Sequence, residues 1–190
     1  MNLGGAFLTE EELRKYPFKS LGKNVKIHSR AIICGVENVI IGDNSRVDDY
    51  AIILATDEVS LGSYVHIPGF CFLGGKYGIR IDDFTSLAPG VKIFSSSDDY
   101  SGQFMTGPLV PSECSGGDKG QVVIGRHVVL GANTVVLPGL TVGEGSSVGA
   151  QSLVKKDLEP WGMYAGVPAK QIGQRKKDLL KLEERVKKEI

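Results

Sequence analysis

Histidine is the side chain most often used for metal binding and for acid–base chemistry near neutral pH. The chain has three histidines, His28, His66 and His127, which are separated by 38 and 61 residues. A zinc site built on histidines normally takes two of its ligands from nearby positions in the sequence, and neither interval here is short. We therefore expect no bound metal, and we look for organic chemistry elsewhere in the chain.

Two adjacent carboxylates, Asp98 and Asp99, precede Tyr100 in the longest irregular stretch of the sequence. A carboxylate can orient an attacking group by hydrogen bonding, or it can remove a proton from that group. An irregular stretch of this length inside a regular protein is usually functional or disordered. The alternative interpretation of the two aspartates is a solvated turn.

Aliphatic residues recur every six positions, a period that fits neither an α-helix nor a simple strand alternation. A period of six suits three short strands per coil of a triangular prism, with each aliphatic side chain stacked inside on the coil above. The sequence thus predicts an all-β protein, a left-handed parallel β-helix. The inward residues are Leu21, Ile27, Ile33, Ile41, Val47, Ile53, Leu61, Ile67, Leu73, Ile81, Leu87, Ile93, Ile124, Leu130, Val136, Val142, Val148 and Val154.

The repeat also predicts how the chain is divided. We expect an N-terminal capping segment over 1–20, a β-helix over 21–159 with an excursion loop over 94–123, and a C-terminal tail over 160–190. Thr9 and Glu12 form a capping box that predicts a short helix over roughly 10–16. Leu179, Leu182, Val186 and Ile190 share one face of a predicted helix over about 174–189, whose charged residues are expected to face solvent.

Composition excludes several classes of protein. The 22 basic and 22 acidic residues cancel, so no global field favours a nucleic-acid or membrane partner. The three cysteines are odd in number and form no CxxC pair, which fits a reducing compartment. No signal peptide or membrane span is visible, and we expect a cytoplasmic protein.

The repeat, the loop and the tail "YAGVPAK" at 164–170 together resemble the hexapeptide-repeat acyltransferases, and the resemblance covers nearly the whole chain. It is nearest to the bacterial sugar O-acetyltransferases and the N-acyltransferases of nucleotide-linked amino sugars. The resemblance implies a homotrimer with active sites between subunits, and acetyl-CoA or another acyl-CoA as co-substrate.

The same resemblance implies a coenzyme A site in the last coils. Backbone groups of two Gly-Ala pairs would contact the pantetheine, and basic side chains would contact the phosphates or the adenine, as polyanions require. These residues are Gly131, Ala132, Gly149, Ala150, Lys155, Lys156, Lys170 and Arg175. Family enzymes often place an arginine three residues after the position of Lys170, where this chain has Gly173.

The O-acetyltransferases of this family place a histidine base nine residues after the proline of an "AP-x-V" motif. Here Pro89 is followed nine residues later by Asp98. Aspartate and histidine differ by roughly 2.6 pKa units, so aspartate is weaker as a base by about 3–4 kcal/mol. A hydroxyl acceptor would be poorly served, whereas an amine needs orientation more than deprotonation.

We therefore predict that the enzyme N-acylates a nucleotide-linked amino sugar for bacterial surface polysaccharide synthesis. Asp98 would orient the amine, with Asp99 as the fallback, and Ser86 would hydrogen-bond the thioester carbonyl. His66 and Tyr100 would contact the acceptor. The alternatives are O-acetylation of a sugar hydroxyl and a non-catalytic β-helix scaffold.

Overall fold

The computed structural model describes residues 4–188, and its regular structure is almost entirely β. Short strands form three sheets, and the chain visits the three sheets in turn, pairing each strand in parallel with the strand one coil later. The fold is the parallel β-helix that the period of six predicts. Six coils are complete, and the chain then closes with an antiparallel pair of strands.

The strands of each sheet follow in order along the prism. The first sheet contains Ser20–Leu21, Val39–Ile41, Val59–Leu61, Ile79–Ile81, Val122–Ile124 and Thr141–Val142. The second contains Lys26–Ile27, Arg46–Val47, His66–Ile67, Ser86–Leu87, Val129–Leu130, Ser147–Val148, Gly162–Ala165 and Lys170–Gln174. The third contains Ile32–Cys34, Ile52–Leu54, Phe72–Gly74, Lys92–Phe94, Val135–Val136 and Leu153–Val154. Single turns of 3₁₀-helix lie at Val36–Asn38 and Ser112–Cys114.

The interior of the prism is a column of stacked aliphatic side chains. Sixteen of the eighteen residues predicted to face inward are buried, and only Leu21 and Ile33 of the first coil are partly exposed. Strand pairing sets Ile41 beside Leu61 and, farther along, Ile124 beside Val142. Burying one such side chain contributes about 1.5–3 kcal/mol, so this column is the main source of stability.

Hydroxyl groups replace aliphatic side chains near the corners and are buried as well. The Ser45 hydroxyl donates a hydrogen bond to the Gly62 carbonyl one coil on (2.7 Å), and the Thr85 hydroxyl donates to the Gly125 carbonyl (2.8 Å). A buried hydroxyl without a partner would be destabilising. These bonds therefore let small polar residues fill corners that larger side chains would crowd.

One corner of the prism takes up every irregularity in the repeat. The early coils are 20 residues long, and their two extra residues fall between the third sheet and the first, as in the eight-residue step from Ile53 to Leu61. The long excursion leaves from the same corner, after Phe94, and returns at Val122. The excursion is thus an enlarged version of an insertion that the other coils also carry.

The excursion folds back on itself. The Ser97 amide donates to the Asp118 carbonyl (2.9 Å), and the Met105 amide donates to the Cys114 carbonyl (2.9 Å). Its apolar side chains find little cover within the chain: Tyr100 is 94% exposed, and Phe104, Met105 and Leu109 are also exposed.

The N-terminal helix is shorter than the sequence predicts. It spans Glu10–Leu13 and ends three residues before the predicted limit, because the chain then turns into the first coil. The capping box is confirmed: the Thr9 hydroxyl accepts from the Glu12 amide, and the Glu12 carboxylate accepts from the Thr9 amide (2.8 Å). Leu13 is buried against the open end of the prism.

The C-terminal helix, Leu179–Lys188, also begins later than expected, because Lys170–Gln174 pairs as a strand. The prediction that all charged residues of this helix face solvent is wrong at Glu183. Leu182 and Val186 are exposed, whereas Glu183, expected on a solvated face, is buried. Glu183 is buried because it pairs with Arg126 and contacts His127 of the prism, as described below. Ile190 lies outside the described residues.

Across residues 4–188, no helix is long and apolar enough to cross a membrane. The same residues contain no group of three or more His, Cys, Asp or Glu side chains arranged to hold a metal ion.

Candidate active site

The outward side chains of the second sheet bring two predicted site residues together. Ser86 lies beside His66 in strand register, with Val129 on its other side. Both Ser86 and His66 are half-buried. A hydroxyl and an imidazole on adjacent strands can both face one bound substrate, because neighbouring strands lie only about 4.8 Å apart.

Asp48 connects His66 to a further cation. Its carboxylate contacts the His66 Nε2 atom at 2.8 Å and accepts a hydrogen bond from the Arg46 Nε atom at 2.5 Å. Burial acts to raise the pKa of Asp48, but the hydrogen bonds from His66 and Arg46 outweigh it and leave the pKa lowered. Asp48 is therefore ionised near neutral pH and fixes the orientation of both neighbours.

The two loop aspartates have different surroundings. The Asp99 carboxylate accepts hydrogen bonds from the Ser101 hydroxyl (2.7 Å) and from the amides of Ser101, Gly102 and Phe104. The Ser101 hydroxyl, followed by these amides, lowers the pKa of Asp99 to about 2. The Asp98 carboxylate is exposed and makes no hydrogen bond within the described residues. Asp99 thus holds the loop together, while Asp98 is free to bind.

Within one chain, Asp98 and Ser86 lie on different sides of the prism. Ser86 belongs to the second sheet, whereas Asp98 and Tyr100 follow the last residue of a third-sheet strand, Phe94. The structure therefore brings His66 and Ser86 together but places the loop aspartates apart from them.

The two Gly-Ala pairs stack on each other at the corner between the second and third sheets. The Gly131 amide donates to the Val148 carbonyl (2.8 Å), and a side chain at Gly131 would clash with the Ala150 amide nitrogen, 2.5 Å away. Among the described residues, the backbone amides of Ala132 and Ala150 donate no hydrogen bond. Because Gly131 lets consecutive coils pack directly on each other, this corner presents two stacked backbone donors.

The predicted basic residues divide into two groups. Lys155 and Lys156 are exposed just after the strand Leu153–Val154. Lys170 is exposed and close to them, because the amide of Ala169 donates to the Leu153 carbonyl (2.8 Å).

Arg175 has a different environment. Its Nη1 atom donates to the carbonyls of His127 (2.6 Å) and Gly145 (3.0 Å), and its amide donates to the Trp161 carbonyl (2.7 Å). These bonds hold the C-terminal segment against the prism.

A buried ionic cluster attaches the C-terminal helix to the corner between the first and second sheets. Glu183 contacts the His127 Nε2 atom at 2.8 Å, pairs with Arg126, and pairs with Lys187 of its own helix at 2.6 Å. The His127 ring stacks on Phe84 with 5.2 Å between the ring centres. His127 is thus part of a docking contact.

Comparison with known proteins agrees with this geometry. Residues 121–156 match the family described as bacterial transferase hexapeptide (six repeats). The dTDP-4-amino-4,6-dideoxy-D-glucose acyltransferase of Escherichia coli is 40% identical over 179 residues, which is 94% of this chain and 93% of that protein. The chain belongs to the hexapeptide-repeat acyltransferases.

Solved structures also indicate that the chain belongs to this family. AntD, an N-acyltransferase from Bacillus cereus crystallised with dTDP and 3-hydroxybutyryl-CoA, superposes on this acyltransferase with a TM-score of 0.93 and 36% identity. The match covers 97% of this chain and 98% of that one. Further AntD complexes carry substitutions of a single aspartate or a single serine. The acyltransferase is also 34% identical over 141 residues, or 70% of its length, to WbbJ of Escherichia coli, a putative lipopolysaccharide biosynthesis O-acetyl transferase, of which the match covers 67%.

Sequence reasoning about this acyltransferase missed Asp48 and Arg46. A usable signal was present, because Arg46 and His66 are 20 residues apart, and that is the length of one early coil. Residues one coil apart become neighbours on one sheet, so the repeat itself predicts this contact. Asp48 could not be found in this way, because it lies beyond its strand and reaches back to His66.

Proposed function

We propose that the protein transfers an acyl group from acyl-CoA to the amine of a nucleotide-linked amino sugar. The observation that carries the proposal is the likeness, over almost the whole chain, to acyltransferases named for dTDP-amino sugars or solved with dTDP. The fold itself is shared with O-acetyltransferases. The acceptor is therefore inferred from this likeness and from the loop aspartate.

In the proposed reaction the neutral amine attacks the thioester carbonyl, a C–N bond forms and the C–S bond breaks. The proton lost by the nitrogen ends on the thiolate of coenzyme A, so the products are an amide and a free thiol. Asp98 accepts a hydrogen bond from the amine and orients its lone pair toward the carbonyl. The Ser86 hydroxyl donates a hydrogen bond to the carbonyl oxygen, where negative charge develops.

The surroundings of the loop aspartates favour Asp98 over Asp99 in this role. Four hydrogen bonds already occupy the Asp99 carboxylate, and turning it toward a substrate would break them. Asp98 has no such bonds to lose among the described residues. Tyr100, exposed beside them, would add an aromatic surface for the acceptor.

Acyl-CoA would lie along the last coils of the prism. The free amides of Ala132 and Ala150 suit the carbonyl groups of the pantetheine, and Lys155, Lys156 and Lys170 would contact the phosphates. Gly131 packs directly on the Ala150 backbone and Gly149 packs against Ala165, so these glycines set the spacing of the stacked amides. Because Nη1 of Arg175 is already bonded, that residue would act on the coenzyme only through its remaining donors.

The active protein is proposed to be a homotrimer with its sites between subunits. Asp98 and Ser86 lie on different sides of one chain, so an adjacent protomer must supply one of them. The exposed apolar side chains of the excursion give that contact a surface to bury. Acyl-CoA and nucleotide sugars are both made in the cytoplasm. We therefore place the reaction there, as a step in surface polysaccharide synthesis.

O-acetylation is the second candidate, and one contact favours it. The His66–Asp48 pair beside Ser86 resembles the oriented imidazole that a hydroxyl acceptor needs as its base. Thiol release from acetyl-CoA should be measured with dTDP-4-amino-4,6-dideoxyglucose and with the matching 4-hydroxy sugar. Turnover with the amine alone supports the proposal, and turnover with the hydroxyl alone supports O-acetylation. Absence of turnover with any acyl-CoA would favour the alternative of a non-catalytic β-helix scaffold.

A further inference from the structure

The outward residues of the second sheet change from uncharged to basic at Ser86. On the side toward the C-terminus, the outward residues are Val129, Ser147 and Met163, none of which is charged. On the side toward the N-terminus, they are His66, Arg46 and Lys26, one per coil and in register. We call these three residues the basic row.

We propose that the basic row binds the diphosphate of the nucleotide sugar, with Arg46 as its main contact. This inference rests on the proposed function and names the part of the site that would select a nucleotide-linked acceptor. If the coenzyme uses the coils after Ser86, only the coils before Ser86 remain for the acceptor.

Spacing along the row fits such a molecule. Adjacent strands are about 4.8 Å apart, which is close to the width of a pyranose ring. A sugar with its amine at Ser86 would lie over His66, and the phosphates on its anomeric oxygen would then reach Arg46 and Lys26. The order of Ser86, His66 and Arg46 along the sheet therefore matches the order of amine, sugar ring and diphosphate in the acceptor.

The contacts of Arg46 fix its guanidinium in place and leave part of it available to an anion. Its guanidinium lies 4.7 Å from the centre of the Phe7 ring, and Asp48 binds only the Nε atom. The two terminal nitrogens make no hydrogen bond within residues 4–188, so the fork that pairs with phosphate oxygens is open. The Asp48 carboxylate balances one positive charge of the row, and Lys26 supplies another.

The test compares Arg46→Gln with Arg80→Gln. Arg80 is a matched control, since it also points outward from a strand and pairs through Nε with the aspartate two residues on, Asp82, but it lies on the first sheet. Binding of dTDP and of thymidine should be measured by calorimetry on each protein, together with the KM for dTDP-4-amino-4,6-dideoxyglucose.

We expect Arg46→Gln to weaken dTDP binding and to raise the KM for the nucleotide sugar by about tenfold or more, since a hydrogen bond to a charged group is lost. Thymidine binding and the KM for acetyl-CoA should stay at wild-type values. Arg80→Gln should match the wild type in every measurement. Lys26→Gln should weaken dTDP binding in the same direction, which provides a second variant if Arg46→Gln does not fold.

The two proposals fail in different ways. Wild-type protein that binds dTDP through Arg46 but acylates no amino sugar would overturn the proposed function and support the row. Wild-type protein that acylates the amino sugar, with dTDP binding unchanged in both Arg46→Gln and Lys26→Gln, would overturn the row alone.

Discussion

At the scale of single residues, the hydrogen bonds of a side chain decide what it can do. Asp98 and Asp99 are adjacent and identical in type, yet one carboxylate is saturated by loop donors and the other is open. The spacing from Pro89 favoured Asp98, but the sequence did not show that Asp99 is saturated, because its donors come from residues whose positions depend on the loop conformation.

Exchanging each aspartate for asparagine should therefore give different phenotypes. Asp98→Asn is expected to reduce kcat at least tenfold, because the amide no longer carries the charge that orients the amine, while the loop resists protease as in the wild type. Asp99→Asn is expected to make residues 95–121 easier to cleave, because the amide accepts these hydrogen bonds more weakly. Steady-state kinetics and limited proteolysis distinguish the two, and near-normal turnover of Asp98→Asn would remove Asp98 from the mechanism.

Acid should affect the loop through Asp99. The pKa of Asp99 is about 2 in the folded protein and near 4 in an unfolded chain, so its contribution is complete above about pH 4. The contribution is lost as the pH falls from 4 toward 2. Loop mobility, followed by a fluorophore on Cys114 in a Cys34→Ser background, is expected to rise in that interval when Asp99 is intact. In Asp99→Asn the loop should already be mobile at pH 6, and a wild-type signal in the variant would contradict this role.

The three cysteines should differ in reactivity. Burial raises the pKa of Cys71 to about 11, and its thiol contacts the Ala88 carbonyl at 3.4 Å, whereas Cys34 and Cys114 are exposed. Only the thiolate reacts with iodoacetamide. Mass spectrometry after treatment at pH 8 should find Cys71 unmodified in the native protein and modified after denaturation. Rapid native labelling of Cys71 would show that the prism opens.

At the scale of elements, the sequence predicted the strands much better than the helix positions. Every inward residue follows the same six-residue period, so a wrong assignment at one position does not shift the others. The C-terminal helix has no such support, and its charge pattern did not predict that Glu183 would be buried. Glu183 is buried there because Arg126 and His127 happen to face it, and pairing between residues 56 and 57 positions apart leaves no periodic signal.

Removing the Glu183 carboxylate should loosen this helix. We expect Glu183→Ala to lower the free energy of unfolding by about 1–3 kcal/mol, since it leaves Arg126 and the buried His127 without their partner. Glu184→Ala, one residue on and exposed, should have little effect. Urea unfolding provides the comparison, and equal stabilities for the two variants would mean that the ionic cluster does not anchor the helix.

At the scale of the whole molecule, stability depends on a continuous aliphatic column. Val142 is fully buried in the last complete coil, where an aspartate would place an unpaired carboxylate among apolar side chains. Val142→Asp is expected to unfold the coil and to yield insoluble protein. Thr141→Lys places a charge on the outward face one residue earlier and should remain folded by circular dichroism. A soluble, active Val142→Asp protein would contradict the inward register.

The corner between the third and first sheets has a consequence for how such enzymes diversify. Because every insertion leaves the prism there, a segment of almost any length can be grafted at this seam while the stacked coils keep their neighbours. Residues 95–121 could therefore be exchanged for the corresponding segment of another member of the family. Such a chimera should keep its scaffold and the proposed acyl-CoA site of the last coils, while the proposed loop contact with the acceptor would change.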